Sequence, residues 1–197
     1  ILLGESATTE LPNHRTFEQA MQAGIFPLMQ GAPVVNSIAA KAYALGAATT
    51  SAFADTMVKV RSLATSLADE LMRRDVHVIS GGTDNHIVVA DVLSSFQLTG
   101  VNAEKALEEC DIVVNKNRIP GDVHPASLAS GLRFGSNGMA ARGFAANDVA
   151  RIAGLVVEVL TGTKNTSTTT YTLDPALRAH ARQQVQAVCR SRPIAGY

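Results

Sequence analysis

The chain has 197 residues, 46% hydrophobic and 17% charged, and its 17 Lys/Arg balance 17 Asp/Glu. That length makes one large domain, or one and a half small ones, with a core that needs no staples. The absence of net charge removes the electrostatic footprint of a nucleic-acid binder or of a protein held on an anionic membrane, so neither partner is expected.

Ile1 to Gly4 reads as a short buried strand that lacks a beginning. Glu5 to Asn13 is a polar loop with Pro12. Arg15 to Gln22 puts Phe17 and Met21 on a common helical face. Gly24, Pro27, Gly31 and Pro33 punctuate a loop from Ala23 to Pro33. Val34 to Arg74 is the longest helical segment. Ile38, Ala42 and Leu45, then Phe53, Met57, Val60, Leu63, Leu67 and Leu71, recur at helical spacing. Its Ala/Thr-rich centre, Ala47 to Ala54, predicts a bend, and a helix this long can bridge two domains. The boundary is placed near its middle, giving residues 1–60 and 61–197.

Val76 to Ile79 and His86 to Ala90 predict two strands joined by a Gly81-Gly82 turn. Asn102 suits the N-cap of a helix from Ala103 to Cys110. Ile112 to Val114 is a third strand and Gly131 to Phe134 a fourth. Asn147-Asp148 open a helix to about Leu160, which Gly162 ends. Thr161 to Thr172 is Thr/Ser-rich and reads as a mobile connection. Asp174-Pro175 supply an N-cap and a proline at the first position of a last helix, to about Arg190. The expected class is α/β, ending in a small α+β domain with helices on a short, mostly antiparallel sheet. Cys110 and Cys189 read as free thiols of a reducing compartment. With no signal-peptide pattern and no long apolar run, the expected location is cytoplasmic.

Arg133 is the first candidate for chemistry. Alternation puts it on the opposite face from Leu132 and Phe134. A strand-borne guanidinium among small residues can give two parallel hydrogen bonds to one carboxylate. The same spacing also describes an ordinary exposed arginine on an edge strand. Gln30-Gly31-Ala32-Pro33 precedes a long helix, whose free N–H groups can hold a phosphate or simply end in a loop. Asp84 and His86 could exchange protons, although a structural turn is the preferred reading. His14, His77, His124 and His180 show no metal-ligand spacing with cysteines or carboxylates, so no metal is expected.

Four blocks in this order resemble the C-terminal half of serine hydroxymethyltransferase, a pyridoxal-phosphate enzyme of fold type I. They are Phe26-Pro27-Leu28-Met29-Gln30-Gly31-Ala32-Pro33; Ser80-Gly81-Gly82-Thr83-Asp84-Asn85-His86; Val114-Asn115-Lys116-Asn117-Arg118-Ile119-Pro120; and Ser130-Gly131-Leu132-Arg133-Phe134-Gly135, running on to Arg142-Gly143-Phe144. The resemblance implies that residues 1–60 end a cofactor-binding large domain and start an interdomain helix, with 61–197 as the small C-terminal domain. It implies that Arg133, with Ser130, binds the amino-acid substrate. Gln30, Gly31 and Ala32 would reach the phosphate of pyridoxal 5'-phosphate in the neighbouring subunit. Phe26 and Asn117 would lie in the folate, or second-substrate, region. The implied assembly is a homodimer or larger.

Fold type I chemistry needs a lysine to hold the cofactor as a Schiff base. Lys41, Lys59 and Lys105 fall in predicted helices, and Lys116 and Lys164 do not match the family's position. By the resemblance the sequence begins just downstream of that lysine. No catalytic residue is therefore assigned here, and the N-terminal half is expected on the same or a separate polypeptide. The implied activity is cleavage or formation of the Cα–Cβ bond of β-hydroxy amino acids, with tetrahydrofolate carrying the one-carbon unit. The chain departs from the family at Leu28-Met29, Ala32, Arg118 and Ser136-Asn137-Gly138-Met139. These departures keep one alternative open and the missing Schiff-base lysine a second. One is a threonine transaldolase that passes a glycyl carbanion to another aldehyde. The other is a non-catalytic partner subunit without its own Schiff-base lysine.

Overall fold

The structure is a computed structural model and describes residues 4–194. The chain divides into two units, Ile1–Thr50 and Ser51–Tyr197. The strand expected over residues 1–4 lies, apart from Gly4, outside the described residues.

In the first unit, helix α1 (Phe17–Ala23) starts at a capping box. Gln19 N–H donates to Thr16 Oγ1 at 3.2 Å and Thr16 N–H donates to Gln19 Oε1 at 3.0 Å. The loop expected from Ala23 contains a wide helical turn, Gly24–Met29, kinked at Phe26 and Pro27. Helix α2 (Val35–Ala48) follows. It stops where the Thr49 and Thr50 hydroxyls donate back to the carbonyls of Gly46 and Ala47, inside the stretch where a bend was expected. No described residue of this unit is buried.

The second unit contains the core. Helix α3 (Ser51–Met72) buries Val60, Leu63, Ala64, Leu67, Ala68 and Leu71, one stripe at helical spacing. Helix α7 (Ala146–Gly162) packs on it through Val149, Ala153, Val156 and Val159. These helices, with α5 (Gly100–Glu108), cover one face of an antiparallel sheet of β1 (Ile87–Asp91), β3 (Gly131–Gly135) and β2 (Asn115–Asn117), ordered β1–β3–β2. Val88, Ala90, Leu132 and Phe134 point into the core. Arg133 stays exposed on the other face, as alternation requires. β3 is the central strand, so Arg133 is not on a sheet edge.

Several boundaries differ from expectation for identifiable reasons. The strand expected over Val76–Ile79 is a single bridge, Val78 to Ala90. Positive φ at Ser80, Gly81 and Gly82 then curls the chain into a short turn. The strand expected at Ile112–Val114 begins later, at Asn115. Asp111 adopts φ 62° and Ile112 N–H closes back on the Leu107 carbonyl, so those residues finish α5. Thr99, not Asn102, caps α5, accepting from Asn102 N–H. Asn102 is buried and its Nδ2 donates to Asn165 Oδ1 and to the Ser167 and Thr170 carbonyls. Those bonds hold the expected mobile segment as a hairpin of β4 (Thr163–Asn165) and β5 (Tyr171–Leu173). Two short helices were not foreseen: α4 (Val92–Phe96), capped by Asp91, and α6 (Asn137–Ala141). Helix α8 (Pro175–Ser191) starts at Asp174-Pro175 as expected. Arg142 donates to the Cys189 and Arg192 carbonyls at its far end, so this arginine of the fourth block holds a helix terminus. Cys110 and Cys189 are free thiols.

Leu132 is fully buried at the centre of the sheet. Leu132→Ala is expected to lower unfolding stability by about 3 kcal/mol, measured by urea denaturation of the full chain. A loss below about 1 kcal/mol would remove this strand from the core.

Candidate functional site

The exposed face of the central strand presents the first group of residues. Arg133 pairs in register with Asn115 on β2 and with Val89 on β1. Asn117 pairs with Gly131 and shares that face. Arg133 Nη2 donates to Asn115 Oδ1 at 3.4 Å, a long contact with a neutral acceptor. Among the described residues no carboxylate forms an ion pair with Arg133, so its planar fork remains available to an external anion. Asn117 donates from Nδ2 to the Arg118 carbonyl.

Ser130, at the entrance to β3, is fully buried. Its N–H donates to Asp122 Oδ2 at 3.0 Å and its hydroxyl donates to Asp122 Oδ1 at 2.6 Å. Its carbonyl accepts from Val92 and Leu93 N–H at the start of α4. His124 Nδ1 lies 2.9 Å from Ser130 Oγ. The single hydroxyl proton goes to the carboxylate, so His124 Nδ1 must carry the proton of that contact. The order is carboxylate, hydroxyl, imidazole. A hydrolytic triad needs hydroxyl, imidazole, carboxylate, so this serine is not primed as a nucleophile. Ser130 thus lies three residues before Arg133 with its polar groups committed inside the chain.

Asp122 also accepts from Ile119 N–H at 3.2 Å and His124 N–H at 2.8 Å. Burial pushes its carboxyl upward, but these hydrogen bonds outweigh burial and hold it at about 2, below its ordinary 3.8.

Asp84 and His86 share no hydrogen bond or ion pair among the described residues. The turn is built instead by Thr83 Oγ1 donating to the Ile87 carbonyl and Ile87 N–H donating to Asn85 Oδ1, while the His86 carbonyl accepts from Ser136. Lys116 points to the helix side, where Nζ lies 3.3 Å from Glu104 Oε2. Lys41, Lys59, Lys105 and Lys164 are exposed. No described cluster of three or more His, Cys, Asp or Glu could hold a metal ion, and no described helix is long and apolar enough to cross a membrane.

In the first unit, Gln30, Gly31, Ala32 and Pro33 line a recess of about 510 Å³ together with Ser37 and Lys41 of α2. Val34 caps α2 without any side-chain hydrogen bond. Gln30, Ser37 and Lys41 give the lining polar and cationic side chains, Val34 and Ile38 make the rest apolar, and no Asp or Glu is among its residues, a chemistry that suits a phosphate ester. Ala32 lies outside the left-handed region, so its methyl is compatible with this backbone. Phe26 is 63% exposed and does not line the recess.

The family model for serine hydroxymethyltransferase matches residues 6–156. The chain belongs to the serine hydroxymethyltransferase family. It is 45% identical over 159 residues to the serine hydroxymethyltransferase of Mycolicibacterium smegmatis, covering 79% of this chain and 32% of that protein. It therefore spans about a third of the length of this serine hydroxymethyltransferase. The family match includes Arg133, Asp122 and the Gln30–Pro33 loop but ends within α7, before the β4–β5 hairpin and α8. Sequence reasoning missed Asn115, Asp122 and His124. Alternation could have put Asn115 beside Arg133 once the register was known. Nothing in spacing links Asp122 to a serine eight residues later.

A carboxyl with a depressed folded-state pKa stabilises above its unfolded value, and that stability is lost as pH falls through the folded value. The stability advantage of the natural chain over Asp122→Asn is therefore expected to shrink between about pH 4 and about pH 2, followed by denaturation at stepped pH. A difference that stays constant across that window contradicts the charged network.

Proposed function

We propose that this chain is the C-terminal part of a fold type I pyridoxal-phosphate enzyme that makes or breaks the Cα–Cβ bond of β-hydroxy amino acids. The reaction would be that of a glycine/serine hydroxymethyltransferase, with tetrahydrofolate as the one-carbon carrier. Residues 1–60 would end the cofactor-binding large domain and begin the interdomain helix, and 61–197 would form the small domain. The observation that carries the reading is the Arg133 guanidinium, carried on a central strand with no ion pair to a carboxylate among the described residues.

Arg133 would bind the substrate carboxylate through two parallel hydrogen bonds and so orient the bonds at Cα. Asn115 touches that fork at one corner through a neutral oxygen and brings no competing charge. Gln30, Gly31 and Ala32 would hold the cofactor phosphate across a subunit interface, with Lys41 in the same recess. Phe26 and Asn117 would face the folate or second substrate. Bound pyridoxal phosphate supplies the electron sink for the reaction. The lysine that anchors it would come from the N-terminal half, on the same or another polypeptide. Exposed apolar residues support burial by such a half and by a second subunit: Leu28 is 82% exposed, Met29 84% and Tyr43 83%. The proposed location is the cytoplasm.

Two readings of narrower scope stay attached to specific residues. Arg118 and the Ser136–Met139 segment, now seen as the start of α6, support a threonine transaldolase that passes a glycyl unit to another aldehyde. The Lys116–Glu104 pair and the exposure of the other lysines support a non-catalytic partner subunit. Incubation with serine plus tetrahydrofolate, and separately with threonine plus an aromatic aldehyde, distinguishes the first. Turnover only in the second assay removes the folate reading. A visible cofactor absorbance from this chain alone removes the partner-subunit reading.

Arg133→Lys leaves a point charge where a planar fork is needed. The apparent affinity for serine is expected to fall about tenfold or more, measured by steady-state kinetics of the full-length protein. An unchanged affinity takes Arg133 out of the site.

A further inference from the structure

We propose that Asp122 is a positioning residue for the substrate clamp: its carboxylate staples both limbs of the β2–β3 loop and thereby fixes where β3 enters the sheet and where Arg133 sits along it. The proposal rests on the reading of Arg133 as the carboxylate clamp.

The geometry is specific. Asp122 lies midway along the connection between the two strands that carry Asn117 and Arg133. Its Oδ2 accepts from Ile119 N–H, two residues after β2 ends, and from Ser130 N–H, one residue before β3 begins. Its Oδ1 accepts from Ser130 Oγ and from His124 N–H. One side chain therefore ties the exit of β2 to the entrance of β3 and fills the space between with backbone donors.

A strand has a side-chain period of two, so a slip by one residue would turn Arg133 into the core and Leu132 outward. The segment is already under constraint. Ala129, the residue before Ser130, adopts φ 54°, in the left-handed region that alanine disfavours. The Leu128 and Ala129 carbonyls accept from Val101 and Gly100 N–H at the start of α5. A Cβ on Gly131 would stand 2.6 Å from Ile119 Cγ2 and 2.9 Å from the Ala90 carbonyl. The loop therefore has to pass this point in one conformation. The Asp122 bonds are what hold the strained entrance closed from the loop side.

Asp122 is also an anion in the loop that leads into a clamp meant for an anion. All four of its short contacts are to N–H or O–H donors, and it forms no ion pair with a described Arg or Lys. With those lone pairs occupied, it acts as a staple and leaves the Arg133 fork to the substrate.

The test is a double-mutant cycle in the full-length protein that carries this chain. Asp122→Asn, Arg133→Lys and the pair are compared by KM and kcat for serine. In parallel, the Arg133 side-chain Nε–H resonance is followed during a serine titration. Asp122→Asn is expected to raise KM about tenfold, with a smaller change in kcat, and to weaken the serine-dependent shift of that resonance. In the Arg133→Lys background the same substitution should change KM less than about twofold, because the group it positions is already gone. Equal effects in both backgrounds, or an unchanged KM, overturn the positioning role. Should Asp122→Asn fail to fold, Ser130→Ala replaces it in the cycle. It removes only the hydroxyl contacts, and the same non-additivity at smaller size is required. Unmutated protein that gives neither turnover nor a serine-dependent shift overturns the clamp reading itself, and the proposal with it.

Discussion

Two buried side chains leave one charged side chain nowhere to go but outward. Leu132 and Phe134 fill the core beneath the sheet, so the residue between them must face the other side. That constraint is independent of any ligand. It follows from the pleat and from the apolar stripes of α3, α5 and α7 that cover the inner face. Because β3 is hydrogen-bonded on both sides, the strand lacks the freedom of an edge to peel away. An arginine anchored on a held strand loses less freedom when an anion arrives than one on a mobile loop.

How far the chain could be read in advance depended on the range of the forces involved. Helical stripes such as Leu63, Leu67 and Leu71 and the alternation at Leu132–Arg133–Phe134 were legible, because burial acts on a periodic pattern. The Asp174-Pro175 start of the last helix was legible because capping is local. Asn102 was misread for the opposite reason. As a side chain it suits an N-cap, but three acceptors of a distant hairpin hold its amide. The same contacts turned a Thr/Ser-rich stretch with no apolar pattern into ordered strands. The site was half legible. Arg133 and the Gln30–Pro33 loop were singled out from sequence, whereas Asp122 and Asn115 became visible only once the register was known.

The two units differ in self-sufficiency. The second has a continuous core of its own. The first has no buried residue among those described, yet α2 carries Val35, Ile38, Tyr43 and Leu45 around its surface. Exposed apolar side chains on several sides of one helix support the proposed burial against an N-terminal half and a second subunit.

The central claim is that this sheet face recognises a carboxylate, and isothermal titration of the full-length protein tests it most directly. L-Serine is compared with L-serine amide, which keeps the amine and hydroxyl but lacks the anion. The account predicts that serine binds at least about tenfold more tightly, the scale of a charge-assisted two-pronged contact. Equal affinity for the two ligands would contradict it.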